Sequence, residues 1–321
     1  MWKSAAVVLA AIVLAVPALA QELGPAKFVD PVSGCSYVHA NPFPDEAIRW
    51  QGTCDDEGRV DGPGVLIISS AGREVQRFEI TMAAGVAVDG HVKLTSTGEG
   101  INYDGAYRRG QFHGQGRWSD NDGNRYVGGY ANGLPHGQGE WIGANGLTYT
   151  GDLKNGLFDG QGQWTGTDGA TYSGGFKRGA FDGQGRLKRA DGVGYEGGFK
   201  ANQFHGRGFA RIPGRGSYDG DWVNGVMHGR GTTMLEDGTR YTGDFRNDQS
   251  TGRGRLERPD GTVYEGDFRN GKGEGIGILR LRDGSRYEGE FRNSTMHGRG
   301  TYYHRDGRVT SGTWYNGELV R

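Results

Sequence analysis

Residues 264–286 have the sequence YEGDFRNGKGEGIGILRLRDGSR, one copy of a unit that recurs along the chain with a period of 23 residues. A fixed period of this length indicates a repeat architecture in which each copy is one supersecondary unit. Every full copy begins with a tyrosine, and the tenth equivalent position is Thr310. The nine tyrosines are Tyr103, Tyr126, Tyr149, Tyr172, Tyr195, Tyr218, Tyr241, Tyr264 and Tyr287.

With this tyrosine as position 0, position 2 is always glycine and position 4 is large and apolar. Positions 11 and 13 are glycine in every full copy, and position 15 is often tryptophan or another apolar residue. Side chains alternate along a strand, so positions 0, 2 and 4 share one face. The glycine leaves space over the backbone where a ring can lie. The opposite face carries mixed charges, as in Glu265, Asp267 and Arg269, which predicts exposure to solvent.

Two dipeptides mark turns in the unit. Asn-Gly pairs such as Asn155-Gly156 occupy positions 6–7, and Asp-Gly pairs such as Asp168-Gly169 occupy positions 19–20. Both are typical of two-residue hairpin turns whose central residues have positive φ. We therefore predict an all-β fold: an elongated, single-layer antiparallel β-meander of tandem hairpins, curved or twisted. Nine repeats at about 4.8 Å per strand would extend about 90 Å.

The segment from Tyr103 to Gly116, with His113 before a glycine, resembles the MORN repeat (membrane occupation and recognition nexus). The resemblance covers residues 103–321 almost without interruption. It departs at position 7, where Asn202, Asp248 and Ser294 replace glycine. The resemblance implies protein–protein contacts and self-association through sheet ends or faces.

The sequence predicts five segments. Residues 1–20 are a signal peptide, residues 21–49 an N-terminal cap, and residues 50–102 two degenerate repeats that begin with Trp50-x-Gly52. Residues 103–309 are nine full repeats, and residues 310–321 are a truncated half-repeat. An atypical first repeat is expected because it must shield an open end of the array.

The first residues have the features of an export signal. A lysine at position 3 precedes an apolar run that ends in Ala18-Leu19-Ala20, which predicts cleavage after Ala20 and an exported protein, periplasmic or secreted. An uncleaved membrane anchor is the alternative. Cys35 and Cys54 are the only cysteines, and an even count in an exported chain favours a disulfide that closes the cap. A cysteine-containing cap before a Trp-x-Gly repeat also resembles exported bacterial MORN proteins.

Residues that carry chemistry recur by register. Position 10 is histidine in five copies, but Asp159, Asp182, Thr251 and Glu274 occupy it in the others. Adjacent copies lie about 10 Å apart, too far to share one ion, so we interpret these histidines as polar turn residues. The P-loop-like segment that ends at Lys272 lacks the Ser or Thr that holds magnesium. We therefore predict no catalytic, cofactor-binding or metal-binding residue, no cofactor, no small-molecule substrate and no enzyme.

The remaining candidate site is the aromatic stripe, which forms either the core of the sheet or a binding groove. Its members are Tyr107, Tyr130, Trp118, Trp141, Trp164, Phe176, Phe199 and Trp222. A formal net charge of −1 without a basic run argues against nucleic acid and weakens anionic lipid binding. We predict a non-enzymatic scaffold for protein–protein interaction or self-association in the cell envelope. The alternatives are a module that binds phospholipid headgroups or a membrane surface and, less favoured, glycan binding through the aromatic face.

Overall fold

The computed structural model describes residues 25–40, 42–97 and 100–320. The predicted signal peptide lies outside these residues. Across the described ranges, no helix is long and apolar enough to cross a membrane. The chain divides into two units, described separately below: Met1–Gly169 with Gly175–Ala180, and Ala170–Gly174 with Phe181–Arg321.

Strands are the regular structure of both units, and β14 contains residues of each. The strands before it are β1 Ala26–Val29, β2 Ser36–His39, β3 Glu46–Cys54, β4 Val60–Ser70, β5 Arg73–Ala83, β6 Val86–Ala87, β7 Gly90–Ser96, β8 Ile101–Arg108, β9 Gln111–Ser119, β10 Arg125–Ala131, β11 Leu134–Ile142, β12 Thr148–Lys154 and β13 Leu157–Thr165. From β14 onward they are β14 Thr171–Lys177, β15 Ala180–Lys188, β16 Gly194–Lys200, β17 Gln203–Ile212, β18 Gly216–Val223, β19 Val226–Met234, β20 Arg240–Arg246, β21 Gln249–Glu257, β22 Val263–Arg269, β23 Lys272–Arg280, β24 Arg286–Arg292, β25 Thr295–Tyr303, β26 Val309–Tyr315 and β27 Glu318–Leu319.

Within each unit the strands pair antiparallel in chain order. In the first unit this order runs from β3 to β13, with β7 also paired to β5, while β1 and β2 form a separate two-stranded sheet. In the second unit it runs from β15 to β27. The predicted all-β antiparallel meander of repeated hairpins is confirmed.

The two turns of the unit differ in geometry. At positions 6–7 both residues have positive φ, as in Asn155 (51°) and Gly156 (77°), which is the two-residue hairpin turn expected from the sequence. At positions 19–20 only the glycine does, as in Gly169 (81°). The N–H of Gly169 donates to the Gly166 carbonyl at 3.0 Å, so this is a longer turn that ends in one left-handed glycine. The prediction of two positive-φ residues at this turn was wrong.

Hairpins of the repeat also contain a bulge that the sequence pattern does not reveal. In β10 and β11, Gly128 pairs with Gly139, but the next pair is Tyr130 with Pro135, so extra residues of β11 lie opposite one residue of β10. The bulge contains the position-11 glycine, Gly137, whose φ is 76°. A left-handed φ is strained for other residues, which explains the glycine at position 11 in every full copy.

The core lies on the face that carries positions 0, 2 and 4. The ring of Tyr103 covers the backbone of Gly105 and of the cross-strand Gly116, and a Cβ on Gly116 would lie 2.6–2.8 Å from that ring. The Tyr103 hydroxyl donates to the Ala106 carbonyl at 2.7 Å, and Phe112 stacks on the ring at a centroid distance of 3.6 Å. The predicted role of the position-2 and position-13 glycines as space for a ring is therefore observed.

The cap is tied to the first hairpin by the Cys35–Cys54 disulfide, as predicted, with the two Cα atoms 5.5 Å apart. The buried Asp30 carboxylate accepts hydrogen bonds from the N–H groups of Val32, Ser33 and Trp50. Burial acts to raise the pKa of Asp30, but the hydrogen bonds that its ionised form accepts from the Ser33 hydroxyl and from these N–H groups outweigh it and hold the pKa below its usual value.

Candidate interaction surface

The residues of the predicted aromatic face differ in burial. The buried members are Trp118, Tyr130, Phe176, Phe199 and Trp222, and the half-buried members are Tyr107, Trp141 and Trp164. Buried rings pack against one another and are not available to a partner. A binding groove therefore stays a prediction only at the three half-buried positions.

Contacts between neighbouring hairpins explain this burial. Tyr130 lies edge-on between Tyr103 and Tyr126, at centroid distances of 5.3 Å from each. Trp118 and Trp141 stack with their centroids 5.8 Å apart. Offset and edge-to-face arrangements of this kind are the favoured geometries of aromatic pairs. One glycine-lined sheet face is thus buried largely by its own rings.

The buried tyrosines titrate far from their usual range. Loss of hydration raises the pKa of Tyr195 and of Tyr264 to about 12, and it raises the pKa of Tyr126 further still. Their hydroxyls donate to the backbone carbonyl three residues later, as from Tyr126 to Gly129 at 2.9 Å. These hydroxyls belong to the packing of the sheet.

The opposite face, which we call the solvent face, carries positions 1, 3, 5, 12 and 14. Charged side chains form cross-strand pairs here, such as Arg230–Asp244 at 3.5 Å and Arg253–Asp267 at 3.8 Å. The arginine side chains of these pairs are 87% and 91% exposed. Exposed pairs of this kind contribute about 0–1 kcal/mol each, so this face adds little to stability and remains free for contact.

Consecutive hairpins are tied at the tips, the turns formed by positions 5–8. The N–H of position 7 donates to the position-9 carbonyl of the preceding hairpin, as from Gly225 to Phe204 at 2.9 Å. Where position 7 is not glycine, its side chain accepts a second bond. Asn202 Oδ1 accepts the N–H of Phe181 at 2.7 Å, and Asp248 Oδ1 accepts that of Met227 at 2.7 Å.

Position 10 behaves differently in acidic and histidine copies. Asp159 and Glu274 accept the N–H of position 6 in the following hairpin, at 3.1 Å from Arg178 and 3.0 Å from Asn293. Among the described residues, the buried Nδ1 atoms of four position-10 histidines have no hydrogen-bond partner: His136, His205, His228 and His297. For these atoms, the predicted hydrogen bond to the glycine-rich backbone is not observed. Within the described ranges, no group of three or more His, Cys, Asp or Glu residues is placed to hold a metal ion.

The fold and this surface define a class: a β-hairpin repeat protein whose rings lie over glycine backbone and whose charges line the other face. The MORN repeat matches residues 103–125, 126–148, 149–171, 172–193, 195–213, 218–240, 241–263, 264–286 and 287–307. These matches cover more than half of the chain, which therefore belongs to the MORN repeat family. No curated protein matches the chain.

Solved structures resemble the chain weakly. The TCP10 domain of Danio rerio CPAP in complex with a peptide of Danio rerio STIL is 12% identical, covers 84% of this chain and 100% of that chain, and has a TM-score of 0.28. The same domain without the peptide is 14% identical over 74% of this chain and 95% of that chain, with a TM-score of 0.23. Similarity at this level carries no argument about function.

Proposed function

We propose that this protein is a non-enzymatic scaffold that is exported to the cell envelope and presents its solvent face to a protein partner. One observation carries the proposal: the aromatic face is largely consumed by its own packing, whereas the charged side chains of the opposite face are exposed. Arg230 and Arg253 show this most clearly, at 87% and 91% side-chain exposure. Self-association through the same face is the second form of this function.

The pattern of charge supports specific association over bulk attraction. Arginines and aspartates alternate in rows, as in Arg207 beside Asp219 and Asp221. Mixed rows do not create an electrostatic field of one sign. They attract a partner whose charges are complementary at each position, and they repel a partner whose charges are out of register. Such a surface fits a protein partner better than a uniformly charged polymer.

Crosslinking in cells followed by affinity purification tests the proposal. We expect a partner, or a second copy, to be captured by the wild-type chain and lost from the variant Arg230→Glu/Arg253→Glu. The matched control is Arg282→Glu/Arg305→Glu, which makes the same charge change in exposed turn residues. Circular dichroism checks that both variants keep the strand spectrum. A strict monomer that captures no protein would contradict the proposal.

Two further measurements distinguish the proposed scaffold function from membrane binding and from glycan binding. If the chain co-sediments with anionic vesicles at low salt and crosslinking captures no protein, headgroup binding is favoured. Retention on a cell-wall glycan, lost on substitution of the half-buried Trp141, would favour the aromatic groove instead. Export is checked by fractionation and by sequencing the mature N-terminus, expected at Gln21.

A further inference from the structure

At several hairpin tips, a backbone N–H donates to a carboxylate of the same chain, which we call the internal carboxylate. Asp159, Asp182 and Glu274 each accept the N–H of the position-6 residue in the following tip, at distances of 3.1, 3.4 and 3.0 Å. Asp89 does the same for the N–H of Arg109 at 2.7 Å. The tip N–H is therefore a carboxylate-binding group that this chain fills with its own side chains.

Two neighbouring tips of the second unit lack this internal carboxylate. Position 10 is His228 before the tip of Asn247, and Thr251 before the tip of Asn270. Within the described part of the chain, neither asparagine N–H has a hydrogen-bond acceptor. The buried Nδ1 of His228 likewise has no partner there.

The same two tips each carry an arginine, and the first also contains Asp248, whose carboxylate accepts the N–H of Met227. Position 5 is Arg246 in one and Arg269 in the next, and both are exposed. Over the described ranges neither arginine forms an ion pair, unlike the arginines of position 12. Other tips that follow a histidine have a residue other than arginine at position 5, such as Val223 or Lys154. Arginine and an unfilled N–H occur side by side at these two tips.

A shallow cleft lies beside the first of these tips. His228, Arg246 and Thr251 line it, together with Arg230 and Asp244. The Asp244 carboxylate pairs with Arg230 at 3.5 Å, and among the described residues it forms no ion pair with Arg246. A guanidinium beside a backbone N–H is the donor set that holds a carboxylate by charge-assisted hydrogen bonds.

We propose that these two tips, with Arg246 and Asn247 in one and Arg269 and Asn270 in the next, bind two carboxylates of an acidic, extended segment of a protein partner. The inference rests on the proposed scaffold function and names the chemistry of its partner. Successive tips are two strands apart, about 10 Å. A polyproline II segment rises about 3.1 Å per residue with three residues per turn, so acidic side chains three residues apart lie on one side, about 9 Å apart, and match the two sites. The occupied tips show that a carboxylate is the group this geometry accepts.

The decisive test supplies the internal carboxylate. The variant His228→Asp/Thr251→Asp places at position 10 the residue that Asp159 and Asp182 provide elsewhere, so we expect the fold to be kept. Fluorescence anisotropy would follow a labelled peptide with glutamate at every third residue, binding to the full chain. We expect the variant, and Arg246→Gln/Arg269→Gln, to weaken binding by about tenfold or more.

The matched control is His205→Asp, the same substitution before a tip with Val223 at position 5, which should leave peptide affinity unchanged. Equal affinity for the wild-type and His228→Asp/Thr251→Asp chains would overturn the inference. Binding to phosphatidylserine vesicles but not to the peptide would also overturn it, since the occupant would be a lipid. If the variant still captures a partner by crosslinking in cells, the scaffold function stands and only this assignment fails.

Discussion

At the scale of single residues, the tyrosine of position 0 and the glycines of positions 2 and 13 form one packing unit. Tyr149 illustrates it: the ring lies over Gly162, where a Cβ would be 2.5–2.7 Å away, and Phe158 stacks on it at 3.6 Å. The hydroxyl reaches the Asp152 carbonyl at 2.6 Å, so the ring is buried without leaving its polar atom unsatisfied. Glycine is required there by contact with a ring, not by flexibility.

A glycine under a ring should therefore not tolerate a methyl group. We expect Gly116→Ala to lower the free energy of unfolding by about 1–3 kcal/mol, because the Cβ overlaps the Tyr103 ring. Gly194→Ala is the control, since a Cβ there meets nothing within 4 Å and its φ is not left-handed. Urea unfolding measures both. In the Tyr103→Ala background the cost of Gly116→Ala should shrink, and an unchanged cost would contradict the contact.

The buried tyrosines predict a loss of stability at high pH. Burial raises the pKa of Tyr195 and Tyr264 to about 12, above the ordinary value of about 10. The folded state therefore keeps protons that the unfolded state loses, so stability falls as pH rises from about 10 to about 12 and is unaffected by these groups below that window. Tyrosinate absorbance and circular dichroism should change together there. Titration of all tyrosines near pH 10 with the fold intact would disprove this.

At the scale of the hairpin, the exceptions to glycine at position 7 follow a rule. Asn202, Asp248 and Ser294 lie 46 residues apart, at every second tip, and each has a φ of 66°. Each side chain accepts an N–H of the preceding hairpin, as Ser294 Oγ does from Gly273 at 3.0 Å. A residue other than glycine is strained at this φ, and the added hydrogen bond between hairpins offsets that strain.

The relative stability of variants at these positions tests this explanation. Asn202→Ala loses the hydrogen bond and keeps the strained φ, so we expect a cost of about 2 kcal/mol. Asn202→Gly loses the bond but relieves the strain, so its cost should be about 1 kcal/mol or less. The converse change, Gly225→Asn, should be nearly neutral because asparagine tolerates a left-handed φ. Denaturant midpoints at constant slope measure all three, and an alanine variant as stable as the glycine variant would refute the explanation.

At the scale of the whole molecule, damage is expected to stay local, because each unit of a repeat array contacts mainly its neighbours. We expect Gly300→Val, which forces a side chain into the Tyr287 ring, to reduce hydrogen-exchange protection in β24–β26. The hairpin β16–β17 of the same unit should keep its protection, because opening free energies differ between cooperative segments. Arg282→Gln is the surface control. Uniform loss of protection along both units would show that the chain unfolds as one body.

Much of this protein follows from spacing along the chain. The period of 23 residues, the alternation of Tyr103, Gly105 and Tyr107, and the Asn-Gly tips predict hairpins, their two faces and the ring-over-glycine packing, because these depend on residues close in sequence. The same spacing does not distinguish Asp-Gly turns with one left-handed residue from those with two, since both place glycine in one position.

Only the tertiary structure shows which groups meet across consecutive hairpins. Asp159 accepts the N–H of Arg178, whereas within the described residues the N–H of Asn247 beside His228 has no acceptor. The tertiary structure also shows that Tyr130 and Trp222 lie in the core while Arg253 is exposed. Contacts between residues about 20 positions apart are set by strand register and ring packing, and a one-dimensional pattern does not contain them.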